Sequence, residues 1–157
     1  MKTPANLPAS PASPASPASP AKPAKPPARD IAERTVAYSL RLIALYRALE
    51  PDGVGRILGQ QLLRSGTSVG ANVHEAQGGQ SRPDFIAKLS IAYKEVRASA
   101  YWLRLIAEAQ LVPPEALVDL EDETNQLTKI LSAILLSSKY GKPESRAHPA
   151  PAPTLNS

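Results

Sequence analysis

Gln61, Ser65, Ser68, Asn72 and Glu75 recur at three- and four-residue steps, which gathers them into one polar row if the segment is helical. Two amides, two hydroxyls and a carboxylate arranged this way can satisfy one another at a helix boundary, or they can hold a ligand. A metal site made from Glu75 and its neighbour His74 is excluded by geometry. Adjacent side chains on a helix diverge by about 100° and cannot meet at one ion. Gly66, Gly70, Ala71, Gly78 and Gly79 surround the row, and residues this small let another backbone come close.

The other acid–base groups add little chemistry. Tyr93 and Glu95 complete no nucleophile–base pair, phosphate-binding loop or metal set. The chain has no cysteine, which removes thiol nucleophiles, disulfides and thiolate-bound metals. It has two histidines, and His148 lies in a proline-rich tail, so a Ser-His-Asp triad or a histidine metal centre has no material. These residue types describe a non-enzyme that needs no cofactor and no metal.

A second constellation is electrostatic. Arg56, Arg64, Arg82, Lys88, Lys94, Arg97 and Arg104 face only three acids between residues 53 and 107, whereas residues 108–123 hold six acids and no base. Repeated cations are all that phosphate binding requires, so the first segment is the candidate nucleic-acid-binding set. The acids crowd the start of the last helical segment, where they complement the helix dipole, which accounts for part of the negative block without any function.

The elements that must carry these groups are helices. Residues 30–49 place Ile31, Thr35, Tyr38, Leu42, Leu45 and Leu49 on one stripe, with Asp30 as the expected cap and Pro51-Asp52-Gly53 as the stop. Residues 54–77 turn Leu58, Leu62, Val69 and Ala76 inward until Gly78-Gly79 interrupts. Ser81-Arg82-Pro83-Asp84 reads as an N-cap, an early proline and an acid in the first turn. It opens a third helix with the seam Phe85, Leu89, Ala92, Val96, Ser99, Leu103 and Ile106. Pro113-Pro114 closes that helix and starts a fourth, with the seam Leu117, Leu120, Thr124, Leu127, Leu131 and Ile134. Short connections make successive helices antiparallel, so the expected fold is an all-α, up-down-up-down four-helix bundle.

The third helix carries more apolar surface than its seam needs. Ile91, Ala98, Trp102 and Leu105 form a second stripe on another side of the wheel. A bundle this small has no large core to absorb it, and exposed Trp and Leu stripes mark protein–protein contact. This stripe is the expected homo-oligomer interface, with cyclic symmetry as the default solution.

Of 17 prolines, nine precede residue 28 and four follow residue 142, so a folded domain is confined to residues 29–140. Residues 8–20, PASPASPASPASP, match the three-residue turn of polyproline II and have no side chains for a core. Residues 1–28 and 141–157 are therefore read as disordered tails, and the first lacks the apolar run of a signal peptide. The tails hold five basic residues and one acid, while the body holds thirteen of each sign. The formal net charge of +4 thus belongs to the tails. No apolar run is long enough to span a membrane, and no small-molecule substrate is implied.

The segment 60–105 resembles a known family, the four-helix-bundle proteins encoded by intervening sequences in bacterial 23S ribosomal RNA genes. The family also includes the accessory protein of diversity-generating retroelements. The matching elements are Gln61-x-x-Arg64, Ser68-x-x-x-Asn72-x-x-Glu75, Ser81-x-x-Asp84-Phe85, Leu89-x-x-Ala92-x-x-Glu95 and Tyr101-Trp102-Leu103. Looser similarity extends over nearly all of residues 31–138. The resemblance implies a homopentameric ring with a central channel, a cytosolic location and no known enzymatic activity. For the retroelement member it implies binding to nucleic acid and to a reverse transcriptase. His74 and Ala76 depart from the small or apolar residue and glycine usual there, and Ala98-Ser99 replaces an acidic–Thr pair. Two functions follow as expectations: a nucleic-acid-associated oligomer using the basic set, or a protein-interaction ring without nucleic acid.

Overall fold

Each of the four apolar stripes becomes a helix in the computed structural model, which describes residues 28–141, with side chains from residue 31 onward. The helices are α1 (Ala28–Leu49), α2 (Gly53–Gln77), α3 (Arg82–Glu108) and α4 (Val118–Tyr140), with a single 3₁₀ turn, Pro114–Ala116, before the last. Among the described residues there is no strand. Helix α2 packs against both α1 and α3, α3 packs on α4, and α4 meets α1 to close the bundle. The proline-rich segments read as tails lie outside the described residues, except for their innermost positions 28 and 141.

The helix ends follow local chemistry, with three differences from the sequence reading. Helix α1 starts two residues earlier than expected, so Asp30 falls inside its first turn instead of capping it. Asp52, read only as part of a stop, caps α2 by accepting the Gly55 N–H at 2.6 Å. Helix α3 ends ahead of the prolines, because Gln110 adopts φ 53° and the chain closes in a Schellman pattern. There the Gln110 and Leu111 amides donate to the Ala107 and Ile106 carbonyls. Ser81 caps α3 as expected, accepting the Asp84 N–H at 3.2 Å.

The seams form the core. All six stripe residues of α1 are buried, as are the α3 and α4 seams except half-buried Phe85 and Ile134. Leu135 takes the inward place at the end of α4, since both i+3 and i+4 from Leu131 lie near one face and packing selects i+4. Leu58 of α2 is half-buried, and Val73 joins Leu62, Val69 and Ala76 inside.

Each helix sends a hydroxyl into this core, and α1 adds a second, Thr35, which donates to its own Ala32 carbonyl at 2.7 Å. Tyr38 of α1 bonds Thr124 of α4 at 2.8 Å, and Ser65 of α2 bonds Ser99 of α3 at 2.9 Å. One pair ties α1 to α4 and the other ties α2 to α3. Thr124 donates to the Leu120 carbonyl at 2.6 Å and Ser99 to that of Glu95 at 2.9 Å, so these protons end on backbone oxygens. No buried side-chain nitrogen or oxygen is left without a partner among the described residues.

Close approach of α1 and α2 depends on glycine. A Cβ at Gly66 would lie 1.9 Å from Leu42 Cδ1, and Leu42 is itself fully buried, so neither side can yield. Gly66→Ala is expected to lower unfolding stability by about 1–3 kcal/mol, read from the denaturant midpoint.

Burial pushes the Tyr38 phenol above its ordinary value, against opposing hydrogen bonds from Thr124 and Ser99. A raised folded-state pKa stabilises the fold fully below the unfolded value, about 10, and that contribution is lost as pH climbs towards the folded value. Tyr38→Phe should cost about 1 kcal/mol at neutral pH. Above about pH 10 the wild type should lose stability more steeply than Tyr38→Phe, as followed by urea titrations at fixed pH.

Candidate functional site

The polar row divides by depth. Ser65 is buried and is taken up by its bond to Ser99 in the core. Ser68 and Asn72 are half-buried, and the Asn72 amide donates to the Ser68 carbonyl at 2.8 Å. Gln61 and Glu75 are exposed. Glu75 reaches across to α3 and meets the Lys88 ammonium at 2.5 Å. That hydrogen bond, and then the carboxylate charge, hold the Lys88 ammonium above its ordinary value. Glu75 and Lys88, with Gly78, Gly79, Ser81 and Asp84, line a polar depression of about 530 Å³ at the α2–α3 turn. Its lining has two carboxylates and one engaged cation, so it offers no unpaired charge for an anion.

The apolar stripe borders the same row. Ser65 stands beside Ser99 and Glu75 beside Lys88, which fixes the antiparallel register of α2 and α3. In that register Gln61 is level with Trp102, Ser68 with Glu95 and Asn72 with Ile91. Ile91 is exposed, while Ala98, Trp102 and Leu105 are half-buried. One part of the Trp102 indole rests on the protomer's own core, and the ring stacks edge-on against Tyr101 at 5.0 Å between centroids. The two features singled out separately in the sequence therefore form one composite outward face.

The seven cations of the basic set do not converge. Arg82 reaches the last turn of α4 and donates through Nε and Nη2 to the Ser138 carbonyl, satisfying a helix-end acceptor. Arg104 pairs with Glu108 at 2.7 Å, and Arg97 lies 5.9 Å over the Tyr93 ring. Lys88 is held by Glu75. Arg56, Arg64 and Lys94 are exposed and have no side-chain partner among the described residues. The three cations left open sit on α2 and α3: Arg64 and Lys94 border the composite face, and Arg56 falls about 140° away around α2.

Three features escaped the sequence reading. Ile57 and Tyr101 are exposed at 61% and 56%, extending the apolar face on α2 and α3. Their signal was present as large apolar residues off the core stripe. Arg34 clamps Glu123 with two 3.0 Å bonds and adds Gln126 at 2.8 Å, tying α1 to α4. That clamp spans 89 residues of sequence, and no local pattern announces it. Finally, Val36 and Leu40 rim a depression of about 210 Å³ between α1 and α2. Among the described residues, no group of three or more His, Asp or Glu side chains could hold a metal ion. No helix there is long and apolar enough to cross a membrane.

Comparison with known proteins places this geometry in context. The family model for the 23S rRNA-intervening sequence protein matches residues 29–133. A crystal structure of a protein of unknown function from Bacteroides thetaiotaomicron, assigned to the S23 ribosomal protein family, is similar at 34% identity. The match covers 67% of this chain and 97% of that one, with a TM-score of 0.64. No curated protein matches the chain.

The Glu75–Lys88 pair lies at the surface, where solvent screens it and side-chain entropy opposes it. Glu75→Gln is expected to leave the melting temperature unchanged within error, whereas an essential internal network would lose several degrees by calorimetry.

Proposed function

The chain belongs to the 23S rRNA-intervening sequence protein family, and from that premise we propose that it acts without catalysis. Copies of the bundle join through the α3 stripe into a homopentameric ring in the cytosol, and the assembled cations offer a basic surface to RNA or DNA.

One observation carries the reading: Arg64 and Lys94 keep their charges open beside a face that is apolar and uncovered in the protomer, with Arg56 open elsewhere on α2. Three unpaired cations are a weak phosphate site alone. Repetition around a ring multiplies them, because each phosphate neutralised releases counterions and the contributions add. Lys88 and Arg104 can join them, since exposed ion pairs such as theirs are held by little net free energy and exchange readily for phosphate oxygens. No part of this needs a nucleophile or a metal.

A second reading has its own support. Glu115, Asp119, Glu121 and Asp122 stand at the start of α4 without a basic partner among the described residues. An acidic patch of that kind suits a basic protein surface better than a nucleic acid.

Light scattering on the eluting wild type is expected to give a multiple of the 16.7 kDa protomer mass. Trp102→Ala with Leu105→Ala should run as a monomer. Affinity for single-stranded RNA should fall with salt along a log–log slope of about −0.7 per phosphate contacted. Binding that is absent at about 50 mM salt, or indifferent to salt, would favour the protein-interaction reading.

A further inference from the structure

We infer that the end of the bundle where α4 finishes is a docking surface for an anionic lipid bilayer. The inference needs neither the assembly nor the nucleic-acid reading, and it centres on residues of α4 that those readings leave unused.

Charge is polarised along α4. Glu115, Asp119, Glu121 and Asp122 surround its start, whereas residues 128–140 hold Lys129 and Lys139 and no acid. Both lysines are exposed and have no side-chain partner among the described residues. The facing turns of α3 extend the basic region. Arg82 holds the Ser138 carbonyl, and the antiparallel register set by that contact brings Tyr93 level with Lys129. Arg97 lies over the Tyr93 ring, on the same side of α3. Glu95, the one acid between residues 85 and 107, sits about 160° around that helix from both. The remaining acids of this end lie elsewhere. Glu33 is on α1, while Glu75 and Asp84 line the depression beside Lys88 on the α2 side.

Apolar side chains stand out among these cations. Leu136 and Tyr140, one turn apart on α4, are 57% and 68% exposed. Lys129 and Ala133 continue their strip at steps of three and four residues. Phosphate oxygens alone would explain the cations but not the leucine. A protein partner would need a pocket fitted to the two protruding side chains. The hydrocarbon boundary of a bilayer accepts them in any arrangement, with lipid phosphates meeting the lysines around them. Tyr140 suits that boundary, because its ring is apolar and its hydroxyl stays hydrated.

The same polarity sets the approach. The acidic start of α4 lies about 30 Å from this end, so a negative surface attracts one end of the bundle and repels the other. The molecule therefore arrives with Leu136 and Tyr140 foremost. Helix α1 begins and α4 finishes at this end, and the sequences flanking the domain hold five bases against one acid. That excess adds to the attraction.

The test floats the full chain with vesicles of phosphatidylcholine mixed with phosphatidylglycerol, and with phosphatidylcholine alone, at about 50 mM salt. The chain is expected to bind the mixed vesicles and ignore the neutral ones. Leu136→Gln with Tyr140→Gln should weaken binding by about tenfold or more. Its circular dichroism melt should match the wild type, since both side chains are exposed. Lys129→Gln with Lys139→Gln should weaken binding about fivefold for each lysine removed.

A wild type that leaves the anionic vesicles unbound overturns the inference. Full affinity in the Leu136, Tyr140 variant does so too, because diffuse charge then accounts for the binding. Equal binding to neutral vesicles removes the role of the lysines and has the same consequence. Single-stranded RNA held through Lys129 and Lys139 while vesicles are ignored assigns those cations to nucleic acid instead. A chain that binds anionic vesicles as a monomer leaves this inference standing where the assembly reading fails.

Discussion

A buried hydroxyl must be hydrogen-bonded, and this bundle places one from each helix at its centre. Thr124 and Tyr38 join α4 to α1, and Ser99 and Ser65 join α3 to α2. Leucine seams alone tolerate sliding and rotation, because apolar contact has no direction. Hydroxyls in a low-dielectric interior do not, since a partner displaced by one turn leaves a donor or acceptor unsatisfied. The two pairs therefore set the register of α1 against α4 and of α2 against α3, and through it decide which side chains remain outside. The level alignment of Asn72 with Ile91 and of Gln61 with Trp102 is a consequence of Ser65 meeting Ser99.

The glycines of α2 divide by what they touch. At Gly55 and Gly66 an added Cβ would run into the Leu49 carbonyl oxygen and the Leu42 side chain, so these positions serve the internal contact with α1. Gly70 is buried as well, but an added Cβ there would come no nearer than 3.4 Å to Thr35. The contact of α2 with α1 is therefore tightest at Gly55 and Gly66 and looser at Gly70.

Charge is used mainly to fasten helices. Arg34 joins α1 to Glu123 of α4, Arg82 covers the end of α4, and Lys88 links α3 to Glu75 of α2. What looks in the sequence like a basic block followed by an acidic block is largely a set of such fasteners, together with acids suited to the start of α4. Of the few cations left over, Arg64 and Lys94 border the uncovered apolar face, which gives the assembly reading its electrostatic content.

Helix number, seams and most stops are determined by the sequence alone, because burying one stripe of a helix imprints a 3.6-residue period that can be counted. Tyr38, Leu42, Leu103 and Leu131 all lie where that period puts them. The Ile91–Trp102 stripe is legible for the same reason, as apolar residues outside the period. Which helices are neighbours, and what each polar residue meets, was decided only by tertiary structure. Ser65 and Glu75 occupy one row in the sequence, yet one is sealed in the core and the other paired at the surface. Arg34 finds Glu123 across 89 residues, and the hollow beside Gly70 exists only once α1 lies against α2. Periodicity reports a residue's angle about its own helix axis, and it carries no information about the helix that arrives on the other side.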